Sequence, residues 1–247
     1  MSILLPLYLY PWPGVWDPLY TAATTHPLVN FTVVLNPCSG PCTTRPIEPP
    51  YLLEIPKLAL YPNIRTLGYV ATNYTSKPLS DVIVEIQAYA NWTSILNDSR
   101  VAVDGIFFDE VPGPYDWRKY DYLKLAQSEV KSWEGLVHNP GTIPDRIWNY
   151  MNLTDITIIF ENTFNAFLDR PTFDTLSGFQ TAAERPKSQL ALMLHTLPNF
   201  TDGMLRCMVK EMEGMVDWIY VTGNGVKDEY WHSFSSLFGG FVKAVDE

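Results

Sequence analysis

Hydrophobic residues of this chain concentrate in short apolar runs that recur at a spacing of about thirty residues. The runs are rich in β-branched and aromatic residues and have few polar interruptions, which is typical of strands buried on both faces. They predict eight strands, at Ile3–Tyr10, Phe31–Asn36, Arg65–Val70, Val103–Asp109, Gly135–Asn139, Asp155–Glu161, Gln189–His195 and Asp217–Thr222.

The segments between these strands carry apolar residues at helical spacing. They predict helices at Ser80–Trp92, Trp117–Trp133, Thr172–Gly178 and Asp202–Met215, the first with Ser80 as its N-cap. Eight strands that alternate with helices indicate an α/β protein with a single (β/α)8 TIM barrel. A doubly wound open sheet produces a similar pattern, and the count of eight favours closure. No segment resembles a linker, so residues 1–247 are predicted to form one barrel domain.

Two of the predicted strands end on acids. The fourth runs through Phe107 and Phe108 into Asp109 and Glu110, and the sixth runs through Phe160 into Glu161. Because carboxyl ends of parallel strands meet at one edge, the three carboxylates are expected in one cleft, where they suit general acid/base or glycosyl-transfer chemistry. A single acid in such a place more often caps a helix or pairs with an arginine. Two strands with the same ending favour a site.

Polar and aromatic residues at other strand ends suggest what the cleft binds. Aromatic faces stack on sugar rings, and amides bond to hydroxyl groups, so a ring of such residues around the acids favours a neutral polyol. A single loop aromatic taken alone is more often a loop anchor. The predicted substrate-binding residues are Tyr10, Trp12, Asn36, Tyr69, Asn73, Tyr115, Asn162 and His195. His138 and Asn139 end the fifth strand and fit the same pattern. Trp16 and Trp117 are further aromatic candidates, although packing is the stronger expectation for Trp117.

Composition narrows the classes of partner and cofactor. The net charge is −10 and the pI is near 4.8, which argues against nucleic acid or an anionic membrane. No apolar run is long enough to insert across a membrane. The four histidines lack metal-ligand spacing, no Gly-rich loop with a lysine follows a strand, and no GxSxG elbow occurs. No metal and no cofactor are therefore expected.

The cysteines and the glycosylation sequons give information about the cellular compartment of the protein. Cys38 and Cys42 flank a short turn, either as a disulfide or as two free thiols, which leaves Cys207 unpaired. The chain has six N-x-S/T sequons, which favour a secreted or cell-surface glycoprotein over a cytoplasmic protein; they begin at Asn30, Asn73, Asn91, Asn97, Asn152 and Asn199. The N-terminus has no basic region and reaches Pro6 early, so either it follows a cleaved signal peptide or the protein stays in the cell.

Four blocks of the sequence resemble the spherulin-4-like family. They are LPLYLYPWPGVWDPLY at 5–20, VVLNPCSGP at 33–41, RTLGYVATNYT at 65–75 and DGIFFDE at 104–110. The resemblance covers nearly the whole chain. It implies a (β/α)8 barrel and a fungal glycoside hydrolase that cleaves galactosaminogalactan, an exopolysaccharide, internally at α-1,4-linked N-acetylgalactosamine. The implied partner is thus a polysaccharide rich in galactosamine or N-acetylgalactosamine.

The resemblance also assigns the essential carboxylates to Asp109, Glu110 and Glu161. Strand phase places Asp109 inward with Phe107, where Tyr and Asn donors would keep it ionised, with Glu110 in support. Apolar surroundings would raise the pKa of Glu161 and suit it as the general acid. Attack by the substrate's own N-acetyl group is an alternative mechanism. A non-catalytic carbohydrate-binding or spore-coat protein is an alternative function, and a lyase or transglycosylase that uses the same groups is a weaker third one.

The chain departs from the family pattern at one of these blocks. Members commonly have Asn-Ser-Gly-Pro-Gly where this chain has Cys38-Ser-Gly-Pro-Cys42. The departure implies a local disulfide beside the cleft, and it leaves the fold and reaction type as firmer expectations than the identity of the sugar.

Overall fold

The computed structural model describes residues 1–130, 133, 135–145, 147–226 and 230–247. Its eight predicted strands are all present and close into a barrel in chain order, so the predicted (β/α)8 fold is confirmed. Their bounds are β1 Ser2–Leu7, β2 Asn30–Leu35, β3 Ile64–Ala71, β4 Gly105–Asp109, β5 Leu136–His138, β6 Ile156–Thr163, β7 Leu190–His195 and β8 Trp218–Val221.

All neighbouring strands are parallel, and β1 pairs with both β2 and β8 to complete the closure. Ile3 is thus opposite Phe31 on one side and Ile219 on the other. Because every strand runs in the same direction, the loops after the strands all emerge at one mouth of the barrel. The residues that follow the strands are therefore the ones that can form a shared site.

Eight α-helices lie in the described part of the chain. They are α1 Asp17–Thr25, α2 Pro49–Leu58, α3 Leu79–Leu96, α4 Trp117–Val130, α5 Phe164–Leu168, α6 Arg170–Ala182, α7 Asp202–Glu213 and α8 Phe238–Asp246. The four predicted helices correspond to α3, α4, α6 and α7. The predicted extension of α4 toward Trp133 passes through residues 131 and 132, which lie outside the described residues.

Sequence reasoning missed α1, α2, α5 and α8, and it placed one cap wrongly. Prolines start α1 and α2, and Pro56 lies inside α2, so a helical pattern is hard to recognise there. Ser80 is not the N-cap of α3: Pro78 holds that position, and the Ser80 hydroxyl lies 3.3 Å from the Asp81 carboxylate. The helix starts earlier because proline is well suited to a helix boundary.

The strand–helix repeat is interrupted between β5 and β6. In the described part of residues 139–155, the regular structure is a single 3₁₀ turn at Met151–Leu153. This connection therefore forms a long loop beside the barrel mouth, and it carries the exposed side chain of Trp148.

Helix α3 packs on β3 through a glycine. A Cβ atom on Gly68 would lie 2.6 Å from the Tyr89 ring, so only glycine allows this close approach. The Tyr89 hydroxyl lies 3.1 Å from both Leu35 O and Tyr69 O, which ties the ends of β2 and β3 to the helix. This packing holds Tyr69 in place at the barrel mouth. None of the helices in the described part is both long and apolar enough to cross a membrane.

Candidate active site

Asn139 connects the two acids that end β4 and β6. It directly follows β5, and its Nδ2 donates to Asp109 Oδ1 at 2.9 Å and to Glu161 Oε2 at 2.6 Å. Since both oxygens bond to the same nitrogen, they lie no more than about 5.5 Å apart, close to the carboxyl spacing of retaining glycosidases. The expectation that Asp109 and Glu161 meet at the carboxyl-terminal rim agrees with this geometry.

Asp109 points into the barrel mouth, as its phase with Phe107 predicts. Tyr69 Oη donates to Asp109 Oδ2 at 2.9 Å, and the Glu110 N–H donates to Oδ1 at 2.9 Å. Burial raises the pKa of Asp109, whereas the bonds from Tyr69, Glu110 and Asn139 oppose the rise. The expected donors are thus present, but burial outweighs them.

Gly105, the first residue of β4, allows a close approach between two parts of the backbone. A Cβ atom there would lie 1.9 Å from the carbonyl oxygen of Gly135, so the glycine allows β4 to approach the residue before β5.

Glu161 owes its position to an irregularity in β6. The pairing with β7 shifts between Ile158 and Phe160, and this β-bulge changes which side of the strand the following residues face. Glu161 Oε1 also accepts from Trp231 Nε1 at 3.1 Å. Burial, and secondly the charge of Asp109, raises the pKa of Glu161 to about 7, against the lowering effect of its two donors. Such a carboxyl can hold a proton at neutral pH.

Glu110 sits in a strained turn that the end of β3 holds in place. Its φ is +53°, and three further non-glycine residues with positive φ follow β3 at Asn73–Thr75. Each such residue costs about 1 kcal/mol or more. Thr72 compensates, because its N–H and hydroxyl both donate to Asp109 O and its hydroxyl also reaches Glu110 O at 2.8 Å. Among the described residues, the Glu110 carboxylate has no hydrogen-bond partner, so it is available to a ligand.

His195 lies at the end of β7, next to the donor that bonds Glu161. Its ring stacks on Tyr230 at 4.1 Å and contacts Trp231 edge-on at 6.1 Å. Burial lowers the pKa of His195, which favours the neutral imidazole. Two of the predicted substrate-binding residues therefore adjoin the carboxylates. Tyr69 bonds to Asp109 directly, and His195 contacts Trp231, which bonds to Glu161.

Tyr10, Trp12 and Tyr115 lie in loops on the mouth side of the barrel. The Tyr10 hydroxyl donates to Glu48 at 2.6 Å, and its ring contacts Trp12, which is 61% exposed. Trp16, the other tryptophan of the first loop, is buried in the core and donates to Leu9 O, so its predicted place in the cleft is wrong. The indole of Trp16 packs against Tyr51 instead of facing solvent.

The three predicted asparagines differ in their surroundings. Asn36 Oδ1 is buried at the end of β2 and has no hydrogen-bond partner within the described residues. Asn73 is exposed on the left-handed turn after β3. Asn162 is also exposed, and its Oδ1 accepts from Thr163 N, so the contacts do not bring it to Asp109 or Glu161.

The strand-end pattern included Asn139 but gave it no role, and the predicted site residues did not include Trp231 and Tyr8. Tyr8 contacts the Tyr69 ring edge-on at 5.6 Å, and its pKa is raised by burial and by the charge of Asp109. The position of Asn139 directly after β5 was an available signal. Trp231 lies in the loop after β8, where no sequence pattern indicates a contact with Glu161.

The expectation that His138 lines the cleft, drawn from its place at a strand end, is wrong. Strand alternation points it away from Asn139, and it lies in the barrel wall with its ring 5.7 Å from Phe108. Burial lowers the pKa of His138 to about 3. It is therefore a neutral residue of the wall and does not line the cleft.

The cysteines in the loop after β2 form a disulfide. Cys38 and Cys42 are bonded, with a Cα–Cα distance of 5.0 Å, and Cys207 is free and exposed. The sequence left two alternatives open for Cys38 and Cys42, a disulfide or two free thiols, and the structure has the disulfide. Throughout the described residues, no group of three or more His, Cys, Asp or Glu side chains is placed to bind a metal.

Comparisons with known proteins identify the family of the chain and its fold. Residues 2–245 match the model of Spherulin4, spherulation-specific family 4. Spherulin-4 from Physarum polycephalum is 31% identical over 165 residues, a segment that covers 66% of this chain and 45% of that protein. The match therefore spans less than half of the relative's length.

Solved structures share the barrel. Aspergillus clavatus Sph3 in complex with GalNAc has a TM-score of 0.92 and 37% identity, covering 100% of this chain and 97% of that one. The chitinase RmChi1 from Rhizomucor miehei has a TM-score of 0.53 at 14% identity, covering 99% and 98%. At that identity the second likeness concerns the fold alone.

Proposed function

This chain belongs to spherulation-specific family 4, and we propose that it is an endo-acting glycoside hydrolase that cleaves α-1,4-linked N-acetylgalactosamine in a galactosaminogalactan-type exopolysaccharide. The observation that carries the proposal is the Asp109–Asn139–Glu161 bridge, with one carboxyl of raised pKa beside another. The similarity to Sph3, which binds GalNAc, supports an amino-sugar substrate.

In the proposed mechanism, Glu161 is the general acid that protonates the leaving-group oxygen. Its pKa near 7 leaves it protonated in a useful fraction at neutral pH. Asp109 stabilises the developing positive charge at the anomeric carbon, either as the nucleophile or by orienting the N-acetyl group that attacks in its place. The short carboxyl separation supports a retained anomeric configuration, because an inverting enzyme needs space for a water between the groups.

Glu110 and the tyrosines beside the carboxylates, Tyr8 and Tyr69, would hold the substrate. The Glu110 carboxylate can accept from sugar hydroxyl groups, while Tyr8 and Tyr69 border the carboxylates. We infer that residues 1–247 act as one catalytic domain, because β1 must pair with β8 to close the barrel that positions every one of these side chains.

The test is release of new reducing ends from the purified polymer. Asp109→Asn and Glu161→Gln should each lower kcat by at least about a hundredfold with the fold intact, and Glu110→Gln should act mainly on KM. Glu129→Gln, on the exposed side of α4, is the matched control and should retain full activity. If the unmodified protein binds the polymer but releases no reducing ends, the non-catalytic alternative is correct.

We also propose that the protein is a secreted glycoprotein. All six sequon asparagines are exposed in the folded chain. The asparagines outside sequons serve as an internal comparison, because most of them are buried or half-buried. These are Asn36, Asn63, Asn139, Asn149 and Asn224. The measurement is the mass of the protein from its native host before and after enzymatic removal of N-glycans. An unchanged mass would reject the proposal.

A further inference from the structure

Three aromatic rings in the loops after β4 and β5 form a row that runs from the interior to solvent. Tyr150 is buried, Tyr115 stacks on it at 5.5 Å, and Trp148 contacts Tyr115 at 5.7 Å. Trp148 is 64% exposed. We call Tyr115, Trp148 and Tyr150 the aromatic row. Its outer end presents a broad apolar face to solvent, which packing within the protein does not explain.

Hydrogen bonds fix the aromatic row to the loops that carry the catalytic pair. The Tyr150 hydroxyl donates to Pro114 O at 2.9 Å and accepts from Asp116 N at 2.8 Å. Nearer the carboxylates, Val111 N donates to Asn139 O at 3.0 Å and joins the same two loops. The row is therefore held at a fixed place relative to the Asp109–Asn139–Glu161 bridge, on the mouth side of the barrel.

The polar ends of the exposed rings are unused. Among the described residues, neither the Tyr115 hydroxyl nor the Trp148 indole N–H has a hydrogen-bond partner. A flat apolar face beside free hydrogen-bonding groups complements a pyranose, which has an apolar C–H face and a rim of hydroxyl groups. A protein partner would require a larger apolar surface than two rings provide.

We infer that Tyr115 and Trp148 form a carbohydrate subsite, remote from the cleaved bond, that stacks one N-acetylhexosamine ring of a long chain. The inference rests on the proposed function. It implies that the enzyme distinguishes long polymers from short fragments, because only a long chain reaches the row while it occupies the catalytic pair. The subsite contributes binding that is independent of the chemical step.

The experiment measures binding of α-1,4-linked N-acetylgalactosamine oligosaccharides of increasing length by calorimetry, with Glu161→Gln as the parent so that the ligands stay intact. Adding Trp148→Ala should weaken binding of the long oligosaccharides about tenfold. Binding of the shortest oligosaccharides that the parent recognises should not change, because these do not reach the row.

Trp117→Ala is the matched control. Trp117 is 62% exposed and begins α4 close to Tyr115 in sequence, but its ring lies against the Arg118 guanidinium at 5.1 Å. It should leave binding unchanged at every length. The inference is overturned if Trp148→Ala affects all lengths equally or none, if Trp117→Ala has as large an effect, or if the parent binds no oligosaccharide of the series. Failure of the proposed hydrolysis alone appears differently: the unmodified protein releases no reducing ends, yet the length-dependent loss of binding persists.

Discussion

Replacing Glu161 with glutamine should make the stability of the protein less dependent on pH. In the folded protein the pKa of Glu161 is about 7, against an ordinary value of 4.5. The native state therefore holds this proton more tightly than the unfolded state does. Its stabilising effect is complete below pH 4.5 and is lost as the pH rises through 7. A glutamine at this position does not titrate and loses nothing over that range.

The size of the effect follows from the two pKa values. Each unit between them corresponds to about 1.4 kcal/mol, so a rise from 4.5 to about 7 corresponds to about 3 kcal/mol. Glutamine also turns an N–H group toward either Asn139 or Trp231, both of which are donors, at a cost of about 1–3 kcal/mol. That cost is the same at every pH and does not enter the difference.

The assay is urea unfolding, followed by tryptophan fluorescence at several pH values from 4.5 to 8. Between these limits the free energy of unfolding of Glu161→Gln should rise by about 3 kcal/mol relative to the unmodified protein. The exposed control Glu129→Gln should follow the unmodified protein. A difference between Glu161→Gln and the unmodified protein that stays constant across the range would refute the argument that burial holds a proton on Glu161.

Four further outcomes are expected. Asn139→Ala should lower kcat about a hundredfold with an unchanged far-UV spectrum, because it removes the donor shared by both carboxylates; near-normal turnover would contradict this. Thr72→Val should lower kcat at least about tenfold while Thr72→Ser retains most of it, since the hydroxyl holds the strained turn; equal effects would indicate a packing role. Cys42→Ser should lower the free energy of unfolding by about 2 kcal/mol, and thiol titration of the unfolded, unmodified protein should find one free thiol, whereas three would exclude the bridge. The kcat/KM of the enzyme should fall as the pH rises above about 7, where Glu161 loses its proton; a rise in that range would exclude Glu161 as the acid.

The strands were predictable because their signal is local. An apolar β-branched run buried on both faces is recognisable without knowledge of its neighbours, and β2, β4 and β7 begin and end within two residues of their predicted bounds. Helices α1 and α2 were not predicted, because their prolines and short lengths conceal the helical spacing of apolar residues. The four that were predicted have longer uninterrupted patterns.

The sequence also determined that the acids lie at the same edge of the sheet, because they end parallel strands and the carboxyl ends of parallel strands meet at one edge. Tertiary structure decided which groups then meet. The β-bulge before Glu161 changes its facing, Asn139 bonds to residues of two different strands, and Trp231 reaches Glu161 across 70 positions. Such contacts depend on register, on loop path and on burial, all of which are properties of the closed barrel. The raised pKa of Glu161 has the same origin, because removal of a carboxyl from water is an effect of everything packed around it.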